Sequence, residues 1–248
     1  MIFKFIKKLF KPAKVDITTP EYQIKNLEVK YYDFSTSLDY EFINSLKRKK
    51  EIEYEKFIKS SNSKLLSDHY IIFDFETTGL DAEFEDIIEI GAIKFEYDTP
   101  IQVFKTYVKP TKKIRKKITD ITGITNDDVA NAPAIEDIIP HFIKFISNYT
   151  LVTHNAKFDM SFLLDKLYKL GYSKPKNKVI DTLSLSKKYI KDIDDNKLKS
   201  YSLESLKEEL GLWEIESHTA LEDCKACALV FLECKKQIEY ENAFLNNK

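Results

Sequence analysis

Three closely spaced β-type runs constrain this chain more than any other feature: HYIIFDFE from His69, DIIEIGAIKFEY from Asp86 and IQVFKTYVKP from Ile101. The links between them are too short for a crossover connection, so consecutive runs can pair only as antiparallel neighbours, and a three-strand meander is expected. A helical pattern follows over 135–146, then the short apolar strand YTLVTH, then a helix from Asn155 to Leu170 that Gly171 stops. A strand over Val179 to Asp181 and three further helices complete the chain. Strands that alternate with helices after a meander predict an α/β fold: a mixed central sheet flanked by helices, with its crevice at the carboxyl ends of the strands.

The 248 residues suffice for one sizeable domain plus an extension, and 43% hydrophobic content is ordinary for a chain that buries a core. Five glycines and seven prolines argue against a long low-complexity region, and no 18-residue apolar run is present. With 39 basic against 40 acidic residues, composition alone does not point to nucleic acid. Cys224, Cys227 and Cys234 fall on one helical stretch and lack a second Cys or His pair at zinc-finger spacing. They read as small core residues in a reducing, cytoplasmic setting.

We divide the chain into an accessory arm, 1–68, and a catalytic domain, 69–240. The arm begins MIFKFIKKLFKPAK, an amphipathic basic segment suited to an anionic membrane surface, nucleic acid, a protein partner or its own domain. Aromatic residues follow (Tyr22, Tyr31, Tyr32, Phe34), then a charged helical pattern through Leu38, Phe42 and Leu46 into Lys47-Arg48-Lys49-Lys50.

Three short motifs carry the chemistry. In Asp74-Phe75-Glu76 two carboxylates leave the first long strand on one face while Phe73 and Phe75 take the other. Two like charges at that spacing need a cation, and an all-oxygen site suits Mg²⁺ or Mn²⁺. In His154-Asn155-Ala156-Lys157-Phe158-Asp159, Asp159 stands one turn beyond Asn155 at a strand-to-helix junction. Asn155 also fits a helix N-cap there, and His154 a satisfied structural residue. In His218-Thr219-Ala220-Leu221-Glu222-Asp223, a histidine precedes a carboxylate at the start of the last helix. That pairing suits activation of a water, and Ala220 lets another backbone approach closely.

The ordered set D-x-E, H-N-x-x-F-D, H-x-A-x-x-D resembles the DnaQ-like exonuclease superfamily. With His218 five residues before Asp223 it is similar to the DEDDh subgroup, which includes the proofreading epsilon subunit of bacterial DNA polymerase III. The resemblance spans about residues 69 to 237 and includes Ile121-Thr122-Gly123-Ile124-Thr125, Asn131-Ala132-Pro133, Asp181-Thr182 and Tyr201-Ser202-Leu203. It implies an RNase H-like fold and a two-metal 3′-to-5′ exonuclease. In that scheme Asp74 bridges two divalent ions, Glu76 and Asp223 bind the tighter one, Asp159 helps hold the second, and His218 takes a proton from the attacking water. It further implies that Thr77, Leu80, Asn155 and Phe158 face the terminal nucleotide, Phe158 reading equally well as a core residue.

Single-stranded or frayed DNA is the expected substrate, with RNA 3′-end trimming and a tethering role for the arm as alternatives. The six basic residues between Lys109 and Lys117 either hold phosphates or form a solvated loop. Unlike the proofreading subunit, the chain ends soon after the last helix and carries about 68 residues in front. A polymerase partner is therefore one possibility among others, alongside peripheral membrane contact through residues 1–14.

Overall fold

The computed structural model describes residues 18–47, 67–216 and 218–246. The basic segment 1–14 and the Arg48–Lys50 run lie outside the described residues. In chain order the elements are α1 (Pro20–Lys25), β1 (Lys30–Tyr31), α2 (Tyr40–Leu46), β2 (His69–Thr77), β3 (Ile87–Glu96), β4 (Thr99–Tyr107), α3 (Lys116–Thr122) and α4 (Ile135–Ile146). They continue with β5 (Thr150–Thr153), α5 (Ala156–Lys169), β6 (Val179–Asp181), α6 (Thr182–Tyr189), α7 (Leu203–Leu210) and α8 (Ala220–Asn246).

The six strands form one sheet in the order β1-β4-β3-β2-β5-β6. The expected meander is present: β2 pairs antiparallel with β3, and β3 with β4. The parallel strands β5 and β6 then extend the β2 edge, which makes the sheet mixed. The β3–β4 turn places Tyr97 and Asp98 at φ 50° and 63°, a left-handed pair that matches the twist of a tight hairpin.

Helices cover both faces, which is why β3 reads as an almost continuous apolar run instead of an alternating one. On one face Tyr70, Ile72, Ile93 and Phe95 pack with Cys224, Cys227, Phe231 and Cys234 of α8. On the other, Ile71, Phe73, Phe75 and Phe104 pack with Phe142 and Phe145 of α4 and Leu163 and Leu167 of α5. All three cysteines are buried and unbridged, as small core residues should be. Among the described residues no helix is long and apolar enough to cross a membrane.

The described part of the N-terminal arm is built into this body. Ile24 of α1 is wholly buried in the α8-side core. β1 then runs parallel to β4 and occupies an edge that would otherwise present unpaired amides and carbonyls. Tyr32 donates its backbone N–H to Val103 O at 2.6 Å. Its ring meets Phe34, Phe104, His141 and Phe145 with centroids 5.2 to 5.9 Å apart, on the opposite face of the sheet. Leu46 packs on the same core, and α2 ends there, Lys47 having turned to an extended conformation.

Candidate active site

The site is assembled where β2, the first strand of the meander, meets the first turns of α5 and α8. Alternation along β2 sends Phe73 and Phe75 into the α4/α5 core and leaves Asp74 and Glu76 on the α8 face. A register shift follows at Glu76/Thr77, where Glu76 opposes Glu89 but Thr77 opposes Ile87. Such a bulge bends the strand end and re-aims its side chains.

α8 supplies the third carboxylate. Its N-terminus lies against β3 at Gly91, where a Cβ would stand 2.5 Å from Ala220 C and 2.6 Å from Ala220 O. The close backbone approach that Ala220 suggested is thus completed by a glycine on the strand side. Ala220 N–H donates to Glu89 Oε2 at 3.0 Å, and Glu222 N–H to Thr219 Oγ1 at 3.3 Å, so the first amides of the helix are satisfied from outside it. With the helix so placed, ligand oxygens of Asp74, Glu76 and Asp223 lie within 4.8 Å of one another. His218 stands just before the helix, exposed, at φ 68°, and its backbone hydrogen-bonds Asp223.

Asp159 stands apart from that group of three. β2 and β5 pair only as far as Ile72 and Val152 and then diverge. Asp159, on the first turn of α5, fills the gap. It accepts Phe75 N–H at 3.1 Å on one oxygen and Thr153 Oγ1–H at 2.8 Å on the other, and it is 1% exposed. The helix that carries it is held by Asp181, whose Oδ1 accepts the backbone amides of Asn155, Ala156 and Leu183 and whose Oδ2 accepts Ser184 Oγ–H. Asp181 therefore caps two helices at once, and the N-cap expected of the Asn155 side chain is not made. Asn155 is instead left-handed, at φ 64°, and exposed. His154 is structural: Tyr201 O can only accept, so Nε2 donates to it at 2.9 Å while Nδ1 takes the Thr182 hydroxyl at 3.0 Å. Burial holds its pKa down.

Four carboxylates gathered at one buried site resist ionisation. Burial, then the charges of Asp159 and Asp223, push Asp74 well above the ordinary carboxylate range. Burial, then Asp223 and Glu89, push Glu76 up to about 8. Burial raises Asp159 to about 7 against its two hydrogen bonds, and Asp223 to about 6 against the nearby Lys207 and His218. Asp223 Oδ1 is buried with no hydrogen-bond partner. An orphaned carboxylate oxygen beside three acids fits hard divalent cations, and a bound cation reverses every one of these shifts.

The rim is formed by the loop after β2. Leu80 is 87% exposed there and Phe84 69%. The loop is braced from below: Glu85 receives Thr78 Oγ1–H and pairs with Lys112 and Arg115, and Arg115 also donates to Thr78 O. Lys166 and Lys169 donate to the carbonyls of Glu85 and Glu83. Of the basic run between Lys109 and Lys117, Lys112 and Arg115 are thus turned onto the loop and Lys116 onto Asp120, which leaves Lys109, Lys113 and Lys117 exposed to solvent. Thr77 is nearly buried, its hydroxyl on Gly79 O at 2.7 Å. Phe158 is half-buried against Phe162, with ring centroids 5.1 Å apart.

Sequence reasoning missed Glu89 as a neighbour of the site. The signal that marks it is an acid at the centre of the otherwise apolar run IIEIGAI. It also missed the bracing role of Glu85 and Arg115, for which the sequence holds no comparable signal.

An exonuclease family model of the RNase T type matches residues 71–231. PolC-type DNA polymerase III of Thermotoga maritima is 40% identical over 166 residues, covering 66% of this chain and 12% of that protein. The Clostridium perfringens counterpart is 35% identical over 182 residues, 73% of this chain and again 12% of the relative. The chain therefore spans about an eighth of the curated relatives' length. Among solved structures, Exonuclease X in complex with 5′ overhanging duplex DNA is similar at TM-score 0.50 and 25% identity, covering 67% of this chain and 91% of that one. Exonuclease I of E. coli has a TM-score of 0.60 at 20% identity, over 70% of this chain and 43% of the other, which speaks to the fold alone.

Proposed function

The chain belongs to the RNase T exonuclease family, within the DnaQ-like superfamily, and from that membership we propose that it hydrolyses DNA from the 3′ end, one nucleotide at a time. The observation that carries the reading is the convergence of Asp74, Glu76 and Asp223 within 4.8 Å, with a buried carboxylate oxygen left unsatisfied. Asp74, Glu76 and Asp223 would hold one divalent ion, with Asp159 helping to hold a second. When bound, such ions neutralise charge on the phosphate and make water acidic enough to attack at neutral pH.

The chain's own groups supply the rest. His218 accepts the proton from the attacking water, and its exposed position lets it pass that proton to solvent. The two hydrogen bonds on Asp159 fix its carboxylate, so the site is organised before substrate arrives. Leu80 and Phe158 meet the terminal nucleotide together with the backbone at Thr77, and Asn155, exposed at the start of α5, adds a further contact. Lys109, Lys113 and Lys117 are the cations available to phosphates beyond the scissile bond.

DNA is favoured over RNA because the relatives are DNA polymerase III proteins and Exonuclease X was solved on duplex DNA with an overhang. The matched region is an eighth of those polymerases, so exonuclease action is proposed and polymerisation is not. We retain 69–240 as the catalytic unit, with residues 18–47 of the arm packed upon it.

Digestion of 5′-labelled single-stranded DNA, duplex DNA and RNA in Mg²⁺ or Mn²⁺ tests the reading. A ladder shortening from the 3′ end is expected on DNA, absent in EDTA and in Asp74→Ala, and strongly reduced in His218→Ala. Activity that survives both substitutions or persists in EDTA refutes the mechanism, and preferential digestion of RNA transfers the reading to RNA trimming.

A further inference from the structure

Glu89 is an acid in the middle of the sheet, 1% exposed, beside three other carboxylates. It stands directly opposite Glu76 in the β2–β3 pair, so its side chain shares the α8 face with Asp74 and Glu76. Placing a fourth acid there is unfavourable unless it has a use of its own. Its Oε2 accepts the N–H of Ala220, the first residue of α8, at 3.0 Å, while Oε1 has no hydrogen-bond partner and lies 3.6 Å from Lys105 Nζ. A carboxylate at a helix N-terminus is favoured by the helix dipole and satisfies an amide that the helix itself cannot.

We propose that Glu89 is the positioning residue of the active-site helix, its hydrogen bond to Ala220 setting where Asp223 and His218 stand relative to Asp74 and Glu76. The contact is placed for that task. Ala220 is three residues before Asp223 and two after His218, so a single hydrogen bond governs both. Gly91, on the same strand face two residues on, admits the helix backbone, and Glu89 holds it there. Lys105 offsets the charge of Glu89 from the side away from the site. Because Glu89 acts through α8, its loss loosens the ligand set and leaves substrate contacts in place. The role rests on the metal-dependent reading above.

The test compares Glu89→Ala and Glu89→Gln in the full chain, with Asp74→Ala as control. Folding is monitored by circular dichroism, Mn²⁺ binding without nucleic acid by electron paramagnetic resonance of the free ion, and kcat and KM on single-stranded DNA. Glu89→Ala is expected to weaken Mn²⁺ binding and lower kcat by about 10- to 100-fold, the range for residues that orient metal ligands, with KM little changed. Glu89→Gln keeps an oxygen for Ala220 N–H and is expected to restore most of both. Normal Mn²⁺ binding in Glu89→Ala, or a Gln variant as impaired as Ala, overturns the proposal. Should Glu89→Ala not fold, Ala220→Pro removes the same donor at a helix position that accepts proline, and unchanged Mn²⁺ affinity there overturns it equally. A wild-type chain that binds Mn²⁺ but digests nothing sinks the exonuclease reading, while the Glu89 series still decides the positioning role.

Discussion

Replacing Gly91 with alanine tests how tightly the site depends on the seating of α8. The new Cβ would stand 2.5 Å from Ala220 C and 2.7 Å from Leu221 N, against an ordinary van der Waals contact of 3.4 Å or more. Both offending atoms are backbone, so no side chain can swing away, and strand and helix must part by about 0.9 Å, the gap between 2.5 and 3.4 Å. Overpacking of this kind costs about 1–3 kcal/mol, which for a domain of this size lowers Tm by roughly 2–12 °C. The larger effect falls on function, because a misplacement of about 1 Å in a catalytic group reduces turnover by about 100-fold. Urea denaturation and single-stranded DNA digestion should therefore show a folded, modestly destabilised Gly91→Ala protein with activity down about 100-fold. A variant within threefold of wild-type activity (about 0.7 kcal/mol) would show that α8 does not set the site geometry.

Other perturbations separate the remaining contributions. In EDTA, Glu76 keeps its proton up to about pH 8 in the folded chain but loses it near 4.5 when unfolded, so the native state binds more protons between those values and stability must fall as pH rises. His141 and His154, held below 6.5 by burial, act in the opposite sense only under that pH, so the window from 6.5 to 8 isolates the carboxylates. The loss there is up to about 2 kcal/mol per proton, and a urea midpoint that stays flat or rises across the window refutes it; Mg²⁺ or Mn²⁺ should abolish the slope. Ile24→Ala, in a side chain with no exposure, should cost about 2–4 kcal/mol in urea titrations, whereas a loss below about 0.5 kcal/mol would mean that α1 is not part of the folded core. Asp181→Ala removes the acceptor of four hydrogen bonds at two helix starts and should cost about 1–3 kcal/mol; hydrogen exchange at Asn155 and Ala156 should quicken, and unchanged protection there would contradict the capping role.

The sequence by itself determined the three-strand meander, the order of the elements from residue 135 onward and the faces of the strands, but not β1 or α3. Alternation in IIFDFE separated Phe73 and Phe75 from Asp74 and Glu76, and the helix about 135–146 and the strand around 179–181 were legible, because these patterns are local consequences of periods 2 and 3.6. It also marked Asp74, Glu76, Asp159 and Asp223, since the motif spacings travel with the chain, but not Glu89 beside them. What only tertiary structure decided were contacts between segments far apart in sequence. Glu89 meets Ala220 131 residues away, Asp159 takes the Phe75 amide where two strands diverge, and Asp181 caps the helix of Asn155, whose own side chain was the expected cap. The described part of the arm supplies an edge strand and a buried isoleucine, contacts that likewise join segments far apart in sequence. Hydrogen-bond partners of this kind depend on how strands end and helices seat, and neither strand divergence nor a helix backbone seated on Gly91 leaves a periodicity in the chain.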